Sequence, residues 1–269
     1  MDRPSFLPPL VVGALISSVL FVLPLRTAVA ADPLQVLKVC DDGAEWPPYT
    51  YYQRDAEGRP TRAVVGYSVE VLNRILEPLG YAAQVDLLPW ARCQLEVERG
   101  VMYVMALNAS PSPEREQRFL LSRAYYSTTH AFFYSKRQRP QGLKVERLAD
   151  LANYRVCGIH GYNYSAYGIP PAQMDAGASE PQRVIVKLHA GRCDLWLEKY
   201  EIVAGTRVTG SDLLADPDLG WGRVPELPGG PFHMLISRQH PQWLDRINAG
   251  LARMAAAKEL ETLLRRHLP

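Results

Sequence analysis

From Leu34 onward, short apolar runs alternate with segments of helical period, and this alternation restricts the architecture more than any other property of the chain. Leu34 to Val39 (LQVLKV) predicts a first strand, followed by a loop carrying Asp41, Asp42, Glu45, Trp46, Pro47, Pro48 and Tyr49. A helix is expected over Tyr67 to Leu79, because Val69, Leu72, Leu76 and Leu79 fall on one face; Ser68 can cap its start and Gly80 can close it. Val85 and Leu87 alternate with polar neighbours as a second strand. A short helix then runs from Pro89-Trp90 to about Arg99, and Val101 to Leu107 (VMYVMAL) reads as a third strand. A strand, helix, strand, helix, strand series requires crossovers, so it predicts a mainly parallel sheet whose ligands bind beyond the carboxyl ends of its strands.

A second unit of this kind begins after Ala131 to Tyr134 (AFFY). Tyr154 to Ile159 and Cys193 to Leu197 read as strands, whereas Arg183 to Leu188 fits strand or helix equally, because so short a run does not settle its period. Trp243, Ile247, Leu251 and Met254 line one C-terminal helix, and Leu260, Leu263 and Leu264 line another. Two α/β lobes with a cleft between them is the simplest architecture. The composition suits it: 47% hydrophobic with 22% charged side chains is that of a globular protein. Thirty Lys plus Arg against 28 Asp plus Glu give a formal charge of +2, too small a field to suggest nucleic acid as a partner.

The first 30 residues read differently. They open with Arg3, run apolar from Phe6 to Leu25 and end in Ala28-Val29-Ala30, the small-x-small pattern of a cleaved export signal. An uncleaved membrane anchor is the rival reading, but Pro8, Pro9 and Pro24 interrupt the apolar run. Cleavage after Ala30 would leave 239 residues of the 269, with 28 basic and 27 acidic side chains once Arg3, Arg26 and Asp2 are removed. All four cysteines, Cys40, Cys93, Cys157 and Cys193, lie in the exported part, where an oxidising compartment makes an even count read as disulfides. Three connectivities are open. A metal site is disfavoured, since there is no Cys-x-x-Cys pair and the six histidines lack ligand spacing.

From Asn108 the chain reads NASPSPEREQRFLLSRAYY. With Pro47-Pro48-Tyr49 after strand one, Gly66-Tyr67 opening a helix and Gly191-Arg192-Cys193-Asp194 in the second unit, this resembles the bacterial extracytoplasmic solute-binding proteins of the polar amino-acid class. Glu114, Arg115, Ser122 and Tyr125 match that family's pattern, while Ser112, Leu121 and Ala124 depart from it. The resemblance implies a type II periplasmic-binding-protein fold with a two-strand hinge. Lobe one would comprise residues 31–127 and 232–269 and lobe two residues 128–231, with crossings near Ser127 to His130 and Pro231 to His233. The family's sheet order of two, one, three further implies that Cys40 pairs with Cys93, and Cys157 with Cys193.

The resemblance also implies a site. Arg115 would bind a ligand carboxylate, which a guanidinium can grip by two parallel hydrogen bonds. Ser112 as N-cap and Pro113 at the first helical position would put Arg115 in a short turn whose free N–H groups also favour an anion. Asn108 and Ser110 match positions with polar groups on the ligand, and Trp46, Tyr49 and Tyr52 match an aromatic wall over its side chain. Trp90 would reach the rim, and Gly161 and Tyr162 would meet the ligand from lobe two. The acid that usually takes the ligand's amino group falls in register on Lys199, leaving Glu198 or Glu201 for that role.

The expected function is capture of a small carboxylate-bearing ligand, an amino acid or a relative, by a periplasmic monomer that serves an ABC permease in the inner membrane, without cofactor or metal. Two rivals accompany it. One is a cyclohexadienyl-dehydratase-like enzyme with Glu198 or Glu201 as general acid. The other is a sensor that presents its ligand-bound form to a membrane signalling partner.

Overall fold

The computed structural model describes residues 33–268 together with Met1; the expected export signal and its cleavage point lie outside the described residues. In chain order the elements are β1 (Gln35–Asp42), β2 (Tyr51–Arg54), β3 (Pro60–Val65), α1 (Tyr67–Leu76), β4 (Tyr81–Leu88), α2 (Trp90–Arg99) and β5 (Met105–Ala109). There follow α3 (Pro113–Arg118), β6 (Phe119–Leu121), β7 (Tyr126–Thr128), β8 (His130–Ser135), β9 (Val156–Ile159), β10 (Met174–Ala178), α4 (Pro181–His189) and β11 (Leu195–Lys199). The chain ends with α5 (Tyr200–Gly205), β12 (Leu219–Arg223), β13 (Gly230–Ser237), α6 (Gln242–Ala256) and α7 (Glu259–His267).

Two sheets share one plan. The first has the order β4-β1-β5-β13-β6, with β1 parallel to β4 and β5, and β13 antiparallel to β5. The second has the order β10-β9-β11-β8-β12, with β9 parallel to β10 and β11, and β8 antiparallel to β11. Each therefore has a three-strand parallel centre in which the first strand lies between the second and third. This arrangement brings the carboxyl ends of β1 and β5, and of β9 and β11, to the edges where such sheets bind ligands. The chain crosses between the sheets along β7 and along the start of β13, which pair with each other through Ser127↔Pro231 and Thr128↔Gly230.

Four local expectations change. β1 continues past Val39 because Asp41 and Asp42 stay in register with Leu87 and Leu88 of β4, so both acids belong to the strand end and not to a loop. Gly66, not Ser68, is the N-cap of α1: at its φ of 124°, a Cβ would stand 2.4 Å from the Tyr49 carbonyl oxygen, so the Pro48-Tyr49 backbone takes the place a capping side chain would fill. The third strand begins only at Met105, where pairing with Val39 starts, and Val101 and Met102 remain exposed. The ambiguous run over residues 183–188 is helical, with Val184, Ile185 and Leu188 of α4 packed on Ile159 and Trp196 of the second sheet.

The first sheet is covered by Leu72, Ile75 and Leu76 of α1 and by Ile247, Leu251 and Met254 of α6, which meet Val39, Met105 and Leu107. Both disulfides follow the expected pairing: Cys40–Cys93 ties β1 to α2, and Cys157–Cys193 ties β9 to the approach to β11. Each lies within the unit of a single sheet, so neither bridges the two crossings.

Candidate functional site

The carboxyl ends of β1, β5 and β11 open on a narrow cavity of about 40 Å³, nearly closed by the side chains that line it. From the first sheet's side it is lined by Asp41, Asp42, Trp46, Trp90, Asn108, Ser110, Arg115 and Phe232; from the second's, by Tyr162, Asn163, Tyr164, Tyr167, Leu197, Glu198 and Lys199.

Arg115 is set by its own helix start. Ser112 accepts the Arg115 backbone N–H at 3.2 Å and Pro113 takes the first turn of α3, which leaves the guanidinium folded back and only 6% exposed. One terminal nitrogen donates to the carbonyl and hydroxyl oxygens of Ser110, at 2.8 and 3.1 Å, and the guanidinium carbon lies 5.4 Å from the centre of the Trp90 ring. Burial lowers the arginine's pKa to about 10. No carboxylate pairs with it among the described residues.

Beneath this surface lies a buried polar network. Asp41 accepts from Thr50 and Asn108, while the Asn108 carbonyl accepts from Ser68, Tyr125 and Tyr126 at 2.6, 2.8 and 2.9 Å. Tyr126 in turn accepts the indole N–H of Trp46 at 3.1 Å. Asn108 occupies the left-handed region at φ 55°, which asparagine adopts more readily than most residues, where the pairing of β5 with β13 shifts register between Ala106 and Ala109. The network fixes the Trp46 ring, whose face meets Tyr162 edge-on at 5.5 Å and Phe232 at 5.6 Å.

Residues from the second sheet reach across. Tyr162 donates to Asp42 at 2.6 Å, and Asn163 donates to the Pro111 carbonyl at 2.9 Å and to the Ser110 hydroxyl at 3.3 Å. Glu198 accepts the Lys199 backbone N–H through one oxygen at 2.8 Å; its other oxygen is buried and has no partner. The Lys199 ammonium meets His130 Nδ1 at 2.9 Å and the Tyr167 hydroxyl at 3.0 Å.

Burial dominates the electrostatics. It raises Asp41 to about 7, with Asp42 adding repulsion, and Asp42 to about 6. Desolvation also holds Glu198 above the usual carboxylate range and Lys199 below the usual lysine range, and it lowers His130 to about 4, with the neighbouring Lys199 charge adding to the effect. A carboxyl whose folded pKa is raised stabilises the fold below its unfolded value and loses that contribution as pH rises through the folded one. The ligand-free protein should therefore gain roughly 1 kcal/mol, or about 2 to 4 °C in melting midpoint, between about pH 8 and about pH 6.5. Lys199, held below the usual lysine range by burial, opposes this in the upper part of the window, and below the window His130, held neutral in the fold, works in the same opposing direction. Calorimetric melting checks this, and a flat or falling midpoint over the window would mean the acids are ionised in the folded chain.

Of the residues expected from sequence, Arg115, Ser110, Asn108, Trp46, Trp90, Tyr162 and Glu198 line the cavity. Tyr49, Tyr52 and Gly161 do not. Tyr49 is fully buried and stacks on Tyr126 at 3.9 Å, one layer beneath the surface. Tyr52 sits in the β2–β3 hairpin, over a separate groove beside β4. Gly161 makes the left-handed turn after β9 at φ 79° and faces an adjoining groove with Ala91 and Gln94. Glu201, the alternative to Glu198, is engaged by the Thr129 backbone N–H at 2.8 Å. Sequence reasoning passed over Asp41 and Asp42, although two acids ending a first parallel strand are a usable signal. It also missed Tyr164, Tyr167 and Phe232, which carry no local pattern.

The profile of the bacterial extracellular solute-binding proteins, family 3, matches residues 37–269. No curated protein matches the chain. Among solved structures, the amino-acid ABC transporter substrate-binding protein AbpA from Streptococcus pneumoniae, bound to L-arginine, is 17% identical with a TM-score of 0.67, over 86% of this chain and 94% of that one. The ancestral amino acid-binding protein AncCDT-1, a precursor of cyclohexadienyl dehydratase, is 16% identical with a TM-score of 0.65, over 87% and 96%. A histidine kinase sensor domain with similarity to periplasmic binding proteins is 20% identical with a TM-score of 0.67, over 88% and 97%. At such identities these likenesses establish the fold.

Proposed function

This chain belongs to the bacterial extracellular solute-binding proteins of family 3, and we propose that the solute it captures is an amino acid or close relative, bound by its carboxylate to Arg115 and delivered to an ABC permease of the inner membrane. The observation that carries this is the buried guanidinium of Arg115: nearly desolvated, without a carboxylate partner among the described residues, and opening on a cavity between two sheets. A charge held out of water gains most from an anion that can use its planar fork. Ser110 orients the guanidinium, Trp90 packs against it, and Trp46, Phe232 and Tyr162 supply an apolar wall for the rest of the ligand.

We take residues 31–127 with 232–269 and residues 128–231 as the two lobes, and the paired β7 and β13 segments as the hinge. Cross-cavity bonds such as Tyr162 to Asp42 would then close the lobes on the ligand. The mature chain would work in the periplasm as a monomer, after loss of its export signal.

One feature supports a catalytic reading beside this one: Glu198 is a buried acid held above the usual carboxylate range, as a general acid requires. A thermal-shift screen of amino acids, amines and organic acids tests the binding role, with an amino acid expected to raise the melting midpoint. Turnover of prephenate or arogenate by the purified protein would instead establish the dehydratase. A sensor would bind the same ligand and differ only in its membrane partner.

A further inference from the structure

We propose that Lys199 is a nucleophilic amine that holds a carbonyl-bearing ligand, an oxo acid, as a Schiff base in the cavity. The inference rests on the binding role proposed above, with the ligand's carboxylate on Arg115, and adds a covalent step to it.

Lys199 ends β11 and lines the cavity from the second sheet, only 8% exposed. It pairs in register with His130 at the start of β8. Its side-chain nitrogen lies 2.9 Å from His130 Nδ1 and 3.0 Å from the Tyr167 hydroxyl, which is itself 2.8 Å from Nδ1. Burial lowers His130 to about 4 and raises Tyr167, so both partners are neutral near pH 7. Among the described residues, the lysines in ion pairs are Lys144 and Lys187, not Lys199. A buried ammonium outside any ion pair is a costly charge. Glu198, its neighbour in the chain, favours the charged form, but burial acts against that form and outweighs it.

The three-way contact also suits an amine better than an ammonium. An ammonium would bring three donors to two acceptors, and one of these, the Nδ1 lone pair, is sought by the Tyr167 hydroxyl as well. A neutral amine brings two donors and can accept from that hydroxyl. Because the hydroxyl lies equally close to Nδ1, it can turn there and free the amine's lone pair for a ligand. A desolvated lysine of this kind is the form that attacks carbonyl groups.

Glu198 supplies the proton transfers. It lines the same cavity, is buried, and has one carboxyl oxygen without a partner. The Lys199 lone pair forms a C–N bond to the carbonyl carbon, and Glu198 protonates the carbonyl oxygen. Glu198 then recovers a proton from the nitrogen and returns it to the hydroxyl, which leaves as water. The product is an iminium cation beside an ionised Glu198, so atoms and charge balance, and the condensation needs neither oxidant nor reductant. Arg115 lines the same cavity and takes the carboxylate. An oxo acid differs from the matching amino acid in carrying a carbonyl in place of the amino group, so it is a close relative in the sense proposed above.

Borohydride trapping near pH 7 with pyruvate, 2-oxobutyrate or 2-oxoglutarate tests this, because reduction turns an imine into a stable secondary amine. Intact mass should show one adduct per chain, a gain of the oxo acid less one oxygen. Peptide mapping should place it on Lys199, formed at least about 10-fold faster than on Lys38, Lys136, Lys144, Lys187 or Lys258. Lys199→Met should lose the adduct, with melting of the free variant checking its fold, and Arg115→Ala should slow trapping about 10-fold or more. Thermal shifts with the same oxo acids and with amino acids, measured without borohydride, separate capture from condensation. An oxo acid that raised the melting midpoint without a trapped adduct on Lys199, labelling spread evenly over the lysines, or stabilisation by amino acids alone would each overturn the Schiff base and leave the binding role standing. Undiminished trapping in Arg115→Ala would instead overturn the role of Arg115 and leave the Schiff base. If no oxo acid or amino acid either shifted the midpoint or labelled Lys199, both would fall.

Discussion

Arg115→Ala should weaken binding of the carboxylate ligand by about 100-fold or more, a loss of roughly 3 kcal/mol, while the free protein melts within a few degrees of the parent. The two effects separate because the guanidinium is poorly compensated before the ligand arrives. Its burial already lowers its pKa to about 10, and its protein acceptors are two oxygens of a single residue, Ser110. Removing it costs the free fold a pair of hydrogen bonds and the contact with Trp90, and relieves a desolvated charge. The complex, by contrast, loses a charge-assisted pair and leaves the ligand carboxylate unmatched in a buried cavity. Arg115→Lys should recover only part of the affinity, since an ammonium keeps the charge and loses the fork. Equal affinity of parent and Ala variant for the best ligand, with both correctly folded, would move the carboxylate site elsewhere in the cavity.

The sequence was most informative where a backbone rule and a side-chain rule coincide. The alternation of apolar runs and helical faces placed β1, α1, β4 and α2, and the resemblance supplied the strand order and with it both disulfides. Ser112-Pro113 is a local cap signal, and it positioned Arg115 as expected. The misreadings share a physical origin. Tyr49 belongs to an aromatic loop, but whether a ring in such a loop faces the cavity or the core depends on Tyr126, which is 77 residues away. Ser68 looked like a cap because a capping residue is judged by its neighbours; its hydroxyl instead donates to Asn108, a partner no local window contains.

The acids show the same limit from the other side. Asp41 and Asp42 were assigned to a loop because polar residues usually end strands, yet the ladder to Leu87 and Leu88 carries β1 through both. Their alternation along the strand then divides their roles. Asp41 turns into the network with Thr50 and Asn108, and Asp42 turns toward Tyr162. At the end of β11 the same alternation separates Glu198, with its free oxygen, from Lys199, which turns to His130 and Tyr167. A one-residue offset from the family's usual acid therefore changes the partners that hold the side chain, although Glu198 and Lys199 both line the cavity, and those partners are not legible from register alone.

Replacing Cys157 and Cys193 together by alanine should lower stability by about 4 kcal/mol and the melting midpoint by roughly 10 °C, with little change in ligand affinity. The bridge closes a loop of 36 residues, and on the chain-entropy account its removal returns to the unfolded state the freedom it had withheld. The Cys40–Cys93 bridge spans 53 residues, and because the dependence on loop length is logarithmic its removal should cost nearly the same. Neither bridge lines the cavity, and neither joins the two sheets, so lobe closure should not depend on them. Urea unfolding of the two double variants, with calorimetry on the best ligand, checks both halves of the expectation. A loss below about 1 kcal/mol would mean that the unfolded chain is already compact enough to make the cross-link redundant. A large loss of affinity at unchanged stability would mean that β1 or β9 is held in its binding position by the bridge itself, and that these disulfides serve the site as well as the fold.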